Sequence, residues 1–172
     1  MPNDQVKFAR DIRFGVTPTL WWNDDFLDID IGITFGQCVS EMALAGFRGC
    51  SVGHKFPADI EELTRELDLR GLRVSEPWTS LFFTCQEMHD KTVSDFRKSL
   101  DFIKAVNGTD VVVAELGHSV HQSPVAVFPN RPLFDDRQWD ALTRGLDELG
   151  RIASDAGMRL CYHHHMGTGV QT

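Results

Sequence analysis

Short strand-forming runs alternate with longer amphipathic patterns along this chain, and no other feature of the sequence constrains the fold as strongly. The strand-forming runs fall at 14–20, 49–52, 73–76, 110–114 and 159–165. Apolar residues at helical spacing predict one helix from Thr34 to just before Gly46, and others at 59–70, at 91–106 and from Asp135 to just before Gly157. The run at 110–114 is almost pure valine, which is typical of a parallel strand covered on both faces.

A strand followed by a helix, repeated four times and closed by a fifth strand, predicts a parallel sheet with right-handed crossovers. Two architectures fit this order: an open doubly wound sheet, and a little more than half of a TIM barrel. A complete barrel needs about 250 residues, whereas this chain has 172. We therefore expect an α/β fold whose sequence ends before a barrel would close.

Composition narrows the choice of partners. The chain has 17 basic and 25 acidic residues and a formal net charge of -8. Nucleic acid is not an expected partner, because phosphate backbones bind clustered Lys and Arg. No apolar run has the length of a membrane span, and residues 1–14 lack the apolar core of a secretion signal. A small, uncharged substrate suits this charge balance, and a homo-oligomer is left open.

The four cysteines are far apart in the sequence. Cys38, Cys50, Cys85 and Cys161 form no CxxC pair, so neither a zinc knuckle nor a disulfide framework is expected. Reduced thiols of this kind predict a cytoplasmic protein.

Ligands of parallel α/β proteins gather where the strands end, at their carboxyl side. The residues that this rule brings together are Asn23, Asp24 and Asp25 after strand one, His54 and Lys55 after strand two, Glu76, Trp78 and Ser80 after strand three, Glu115 and His118 after strand four, and His163, His164 and His165 at strand five.

Three consecutive histidines end the fifth predicted strand. Side chains alternate along a strand, so His163 and His165 share one face and His164 points to the other. Two imidazoles on one face suit a divalent metal, a proton shuttle or the hydroxyl groups of a polyol. The alternative is a hydrogen-bonded strand end that touches no substrate.

Two further residues are candidates for chemistry. Glu115 follows a buried strand, where a carboxylate is costly unless it meets a metal, a cation or water; a solvated strand end is the alternative. Lys55 could act as a base or hold a carbonyl, and an ordinary surface lysine is its alternative. We predict catalytic roles for Lys55, Glu115, His163 and His165, and metal ligation by His163 and Glu115.

Substrate binding is predicted for residues that can face a polyol. Asn23 and Asp24, next to two tryptophans, could form one wall of the site, although an acidic turn beside core aromatics is equally compatible. Trp78, His118 and His164 complete the set. The loop 117–134 is long for a strand-to-helix connection, which favours a lid.

Several segments, taken together, resemble the inosose dehydratases of bacterial myo-inositol breakdown. They are 22–25, 40–47, 52–57 and above all 162–172, which reads YHHHMGTGVQT. The resemblance runs in order over essentially the whole chain. At two positions this chain differs. Relatives commonly carry an acidic residue where it has Ser51, and often a small or amide residue where it has His54.

The resemblance implies a xylose-isomerase-like (β/α)8 TIM barrel, of which this chain covers roughly the first four βα units plus strand five. Residues 1–172 are then the N-terminal portion of a single barrel domain. It also implies dehydration of 2-keto-myo-inositol (scyllo-inosose) to a trihydroxycyclohexane-1,2-dione, with cobalt or manganese as the activating metal and glutathione as a cofactor. In that superfamily the usual glutamate of strand five corresponds to His163.

Other functions remain open from the sequence. A sugar isomerase or epimerase of the same superfamily would share proton removal next to the ketone but would return the proton instead of expelling water. A non-catalytic half-barrel is a second alternative, because later strands are missing. A phosphodiesterase acting on DNA is disfavoured by the negative charge.

Overall fold

The structure is a computed structural model that describes residues 12–171. The segment 1–11, for which the sequence predicts no secretion signal, and Thr172, the last residue of the resembling segment, lie outside the described residues. The chain divides into two compact units, Met1–Ser75 and Glu76–Thr172.

The first unit contains a parallel pair of short strands with two helices. Strand β1 (Gly15–Val16) pairs in parallel with β2 (Gly49–Cys50), and Val74 forms a parallel bridge to Cys50. The helices are α1 (Phe35–Leu44) and α2 (Ile60–Asp68). This unit follows the strand-helix order that the sequence predicts.

Proline ends the first strand earlier than expected. The predicted strand 14–20 is wrong beyond Val16, because Pro18 has no N–H for a sheet and begins a 3-10 helix, Pro18–Leu20. The second predicted strand also ends early, at Cys50.

The two helices of the first unit begin where the sequence predicts, after caps at Thr34 and Asp59. The Thr34 side chain accepts a hydrogen bond from Gln37 N at 3.2 Å, and Asp59 caps α2 in the same way. Gln37 does not complete a capping box with Thr34, because its side-chain amide donates to Glu41 at 2.8 Å instead.

The second unit contains a three-stranded parallel sheet in the order β3-β4-β5. Its strands are β3 (Trp78–Leu81), β4 (Asp110–Glu115) and β5 (Arg159–Tyr162). Its helices are α3 (His89–Ala105), the short α4 (Val127–Asn130) and α5 (Asp136–Asp155). The predicted lid loop therefore carries one helical turn. Helix α3 begins at His89, two residues before the predicted start.

The third strand lies further along the chain than predicted. Within 73–76 only Val74 forms a bridge, and the strand of the second unit begins at Trp78. Pro77 interrupts pairing because it has no N–H, but its carbonyl accepts from Val112 N at 3.2 Å, where the ladder to β4 begins.

Helices α3 and α5 bury their apolar stripes against the sheet. The buried residues of these stripes are Phe96, Leu100, Ile103, Leu142, Leu149 and Ala153. Trp139, expected on the same stripe, is 42% exposed and packs on Phe134 instead. No helix within residues 12–171 is both long and apolar enough to cross a membrane.

A glycine lets α5 approach the loop that follows β3. A Cβ built on Gly145 would lie 2.5 Å from two ring carbons of Phe83, closer than side chains tolerate. Phe83 is itself buried, so its ring has little room to move. Gly150, on the same helix, has nothing within 4 Å of such a Cβ.

We expect Gly145→Ala to lower the free energy of unfolding by about 1–3 kcal/mol, because the added methyl group overpacks the contact with Phe83. The matched control Gly150→Ala should be neutral or stabilising by up to about 1 kcal/mol, since alanine is the better helix former. Urea unfolding of both variants measures the difference. Equal stabilities would show that α5 does not pack this closely.

Candidate functional site

An aromatic cluster of one tryptophan and three histidines lies where β5 ends, beside the first residue of β3. The ring centroid of Trp78 lies 5.4 Å from that of His163 and 5.7 Å from that of His165. The His163 and His165 rings are 5.7 Å apart, and His121 lies 4.8 Å from His165. The structure thus brings together three predicted site residues and adds His121, which belongs to the predicted lid loop 117–134.

Strand register explains why these rings meet. Trp78 pairs with Val112, and Val112 pairs with Cys161. His163 follows two residues after Cys161, and its N–H extends the ladder by donating to Val113 O at 2.8 Å. Alternation therefore puts Trp78 and His163 on the same face. Trp78 is the first residue of β3, which corrects the prediction that it follows the third strand.

The three histidines themselves lie beyond β5, which ends at Tyr162 and not at residue 165 as predicted. His164 is exposed, and its ring stacks on His163 with centroids 5.8 Å apart and planes inclined by 11°. The His165 Nδ1 lies 2.9 Å from the carbonyl oxygen of Met166, so this nitrogen carries a proton.

The environment of His163 disfavours a positive charge. Burial lowers the pKa of His163 below its ordinary value, and the neighbouring imidazoles of His165 and His164 lower it further. The His163 ring is therefore a neutral imidazole near neutral pH. A neutral imidazole can accept a proton from a bound molecule.

Glu115 is fully buried, and its carboxylate binds backbone groups of two loops. One oxygen accepts from Phe83 N at 3.0 Å, and the other accepts from Thr84 Oγ1 at 2.8 Å and Gly117 N at 3.0 Å. Thr84 N is a fourth donor, at 3.4 Å. These bonds connect the end of β4 with the loop after β3.

Glu115 and His163 belong to opposite faces of the sheet. Val113 pairs with Tyr162, so Glu115, two residues after Val113, shares the face of Tyr162. The Tyr162 hydroxyl accepts from Glu115 N at 3.3 Å. Glu115 and His163, the two predicted metal ligands, share no hydrogen bond in the described part of the chain. Nor do any three His, Cys, Asp or Glu side chains within residues 12–171 form a group able to hold a metal ion.

His118 lies beside Glu115 and not in the histidine cluster. Its Nε2 is 3.3 Å from Thr84 O and 3.8 Å from Cys85 Sγ. Its backbone φ of 61° is in the left-handed region, which a histidine adopts at a cost. The structure therefore holds the His118 ring against the loop after β3.

In the first unit, Asp24 contacts a histidine that follows β2. The Asp24 Oδ1 lies 2.6 Å from His54 Nδ1, and it also accepts from His54 N at 2.9 Å and from Trp22 Nε1 at 3.2 Å. Both side chains are partly exposed, at 30% for Asp24 and 32% for His54. Sequence reasoning placed His54 only after strand two and missed this pair, because the partners are 30 residues apart.

Two other predicted residues of the first unit make local contacts. The Asn23 side-chain oxygen accepts from Asp25 N at 2.9 Å and Phe26 N at 2.8 Å, which closes a turn. The Lys55 ammonium group donates to Asp30 at 2.7 Å and to Ile33 O at 2.9 Å. Asp30 was not singled out in the sequence, and the ion pair lowers its pKa.

Comparison with known proteins places this geometry in context. No family model matches the chain. It is 41% identical over 164 residues to the inosose dehydratase of Glaesserella parasuis. The match covers 95% of this chain and 55% of that protein. It is 43% identical over 162 residues to the inosose dehydratase of Bacillus cereus, covering 94% of this chain and 54% of that protein. The chain thus spans about half the length of the curated relatives it matches.

Solved structures show the fold. A xylose isomerase-like TIM barrel protein from Mycobacterium smegmatis, in complex with magnesium, matches with a TM-score of 0.66 and 15% identity, over 95% of this chain and 58% of that one. A sugar phosphate isomerase/epimerase from Parabacteroides distasonis matches with a TM-score of 0.63 and 15% identity, over 89% of this chain and 51% of that one. The predicted fold, part of a xylose-isomerase-like TIM barrel, is confirmed.

We expect His163 to titrate below the ordinary range of an imidazole, and His165→Ala to shift the pKa of His163 upward by removing a neighbouring positive charge. NMR titration of the imidazole C–H signals measures both effects. His89 is the control, because hydrogen bonds to Asp90 and Glu148 raise the pKa of His89, and His165→Ala should leave it unchanged. A His163 signal that His165→Ala does not move would contradict this arrangement of the cluster.

We expect Glu115→Gln to lower the free energy of unfolding by about 1–3 kcal/mol, because the new amide group presents N–H donors to backbone N–H groups. Thermal unfolding measures this loss. The control Glu87→Gln, at an exposed position, should be neutral. If both variants unfold alike, the carboxylate does not hold the two loops.

Proposed function

Because the chain is homologous to inosose dehydratases over at least 94% of its length, we propose that it takes part in dehydrating 2-keto-myo-inositol (scyllo-inosose) to a trihydroxycyclohexane-1,2-dione. This similarity is the single observation that carries the proposal. The enzyme is then a hydro-lyase of myo-inositol catabolism.

The reaction requires two proton transfers. A base removes the proton from the carbon next to the ketone, and the electron pair of that C–H bond forms a C=C bond as the β-hydroxyl group departs. A general acid gives the departing oxygen a proton, so that water leaves. The enol that remains then tautomerises to the 1,2-dione. Each transfer by a positioned side chain contributes on the order of 10²–10⁴ in rate.

We assign the base to the histidine cluster, with His163 as the first candidate and His165 as the second. The neutral state of His163 supports this role, because only an unprotonated imidazole can take the proton. Trp78, which contacts both rings, offers an apolar surface to the carbon face of a polyol ring. His164, exposed and stacked on His163, is proposed to bind substrate hydroxyl groups.

Lys55 is better suited to donate than to accept. Its ammonium group already binds Asp30 and Ile33 O, and an ammonium group can stabilise the negative charge that develops on the ketone oxygen. Asn23 and Asp24 are proposed as hydrogen-bonding groups for the substrate. Glu115 and His118, which bind the loop after β3, are proposed to act through the position of that loop.

A metal would need additional ligands. Cobalt or manganese, and glutathione, are proposed for the complete enzyme from the family resemblance, and a structural neighbour was solved in complex with magnesium. The described residues do not by themselves form a metal site, so ligands for such an ion would have to include residues outside 12–171.

We propose a cytoplasmic enzyme that acts on a small polyol ketone and has neither nucleic acid nor a membrane as a partner. All four cysteines are free thiols, which suits a reducing compartment. A homo-oligomer remains open. We also propose that residues 1–172 form the N-terminal portion of one barrel domain.

The test uses the complete polypeptide that carries this sequence, incubated with scyllo-inosose, with the product identified by mass spectrometry. We expect a product lighter by one water molecule. His163→Ala should lower kcat by about 10²–10⁴-fold, whereas His89→Ala on the surface of α3 should not. A rearranged polyol of unchanged mass would indicate an isomerase or epimerase instead, and no turnover would overturn the proposal.

A further inference from the structure

The imidazole of His165 is held by contacts on several sides of its residue. Its Nδ1–H donates to Met166 O at 2.9 Å, and the rings of Trp78 and His121 meet it edge-on, with centroids 5.7 and 4.8 Å away. The backbone is held as well, because His165 N donates to Val170 O at 3.1 Å. Since Nδ1 is engaged, Nε2 is the ring nitrogen that can act on a bound molecule.

The contact between His121 and His165 is the closest between rings in the cluster. The other ring pairs, which involve Trp78, His163 and His164, have centroids 5.4–5.8 Å apart. Both His121 and His165 are half-buried. His121 belongs to the loop 117–134, so its ring reaches His165 only because that loop lies against the turn that follows β5.

A glycine allows the loop to approach this turn. Val120 N donates to Gly167 O at 2.9 Å, and a Cβ on Gly167 would lie 2.9 Å from His121 N and 3.1 Å from its Cα. The φ of Gly167 is 73°, in the left-handed region that favours glycine. Backbone atoms cannot move aside as the end of a flexible side chain can. The loop and the turn therefore pack this closely only with glycine at position 167.

The first residues of the loop are fixed before His121 is reached. Gly117 N donates to the buried Glu115 carboxylate at 3.0 Å, and Ser119 N donates to Leu116 O at 3.1 Å. The Ser119 hydroxyl lies 3.1 Å from His121 Nδ1. The loop is thus held on both sides of Ser119, and the serine orients the imidazole that follows it.

Within the proposed dehydration, on which this step rests, we infer that His121 is a positioning residue for His165. Its ring packs on the His165 ring and fixes the direction in which His165 Nε2 faces the substrate. His165 is the group that takes the proton, and His121 takes part in no bond change. A displacement of about 1 Å at a reacting group can cost on the order of 10²-fold in rate. Every contact in this arrangement lies within the second unit.

The experiment measures kcat and KM of scyllo-inosose dehydration by the complete polypeptide and its variants. H121A should lower kcat by about 10–10²-fold with little change in KM, because the direction of His165 is lost and the substrate contacts are kept. H121F, which keeps an aromatic ring but has no ring nitrogen, should retain most of the wild-type kcat. The control V125A changes an exposed side chain of the same loop and should alter neither quantity.

A double-mutant cycle separates positioning from a general loss of structure. In the H165A background, H121A should cause no further loss of kcat, because the ring that it positions is absent. Losses that multiply, an unchanged kcat in H121A or H165A, or an H121F as slow as H121A would each overturn the role of His121 and leave the dehydration in place. A wild-type protein without dehydration would overturn both.

Discussion

A buried carboxylate holds the carboxyl end of the three-stranded sheet together. Glu115 accepts from Phe83 N and Thr84 Oγ1 in the loop after β3 and from Gly117 N in the loop after β4. A buried charge is tolerated only when such donors compensate its lost hydration. A Cβ on Gly117 would lie 2.5 Å from one carboxylate oxygen, so the loop can approach only as glycine. The loop that carries His118, and the loop that it contacts, therefore depend on this one side chain.

Two histidines at strand ends lie in chemically different surroundings. His163 is exposed, but it loses part of its hydration beside other imidazoles, and both effects lower its pKa. His54 lies against the Asp24 carboxylate, with Nδ1 2.6 Å from Oδ1. Each environment is built within its own unit: the first from β3 and β5, the second from the segments after β1 and β2.

Much of the fold could be predicted from local patterns. Periodicity and caps predicted the ends of α1, α2, α3 and α5 to within two residues. The capping box formed by Asp135 and Gln138 begins α5. The third strand was misplaced because Pro77 looks like a terminator in the sequence, whereas in the structure β3 begins directly after it. For the same reason Trp78 was expected in a loop and lies in β3. Such errors arise because strand pairing is a long-range property that a single segment does not record.

The sequence by itself determined the alternation of strands and helices, the family resemblance and the set of polar residues that follow the strands. Spacing is enough for these, since each depends on neighbours along the chain. Only the tertiary structure decided which of those residues meet. It placed Trp78 on His163, turned Glu115 to the opposite face, and joined Asp24 to His54 across 30 residues. The physical reason is that register and side-chain direction are set by hydrogen-bonded partners on other strands, whose identity is not written in local sequence.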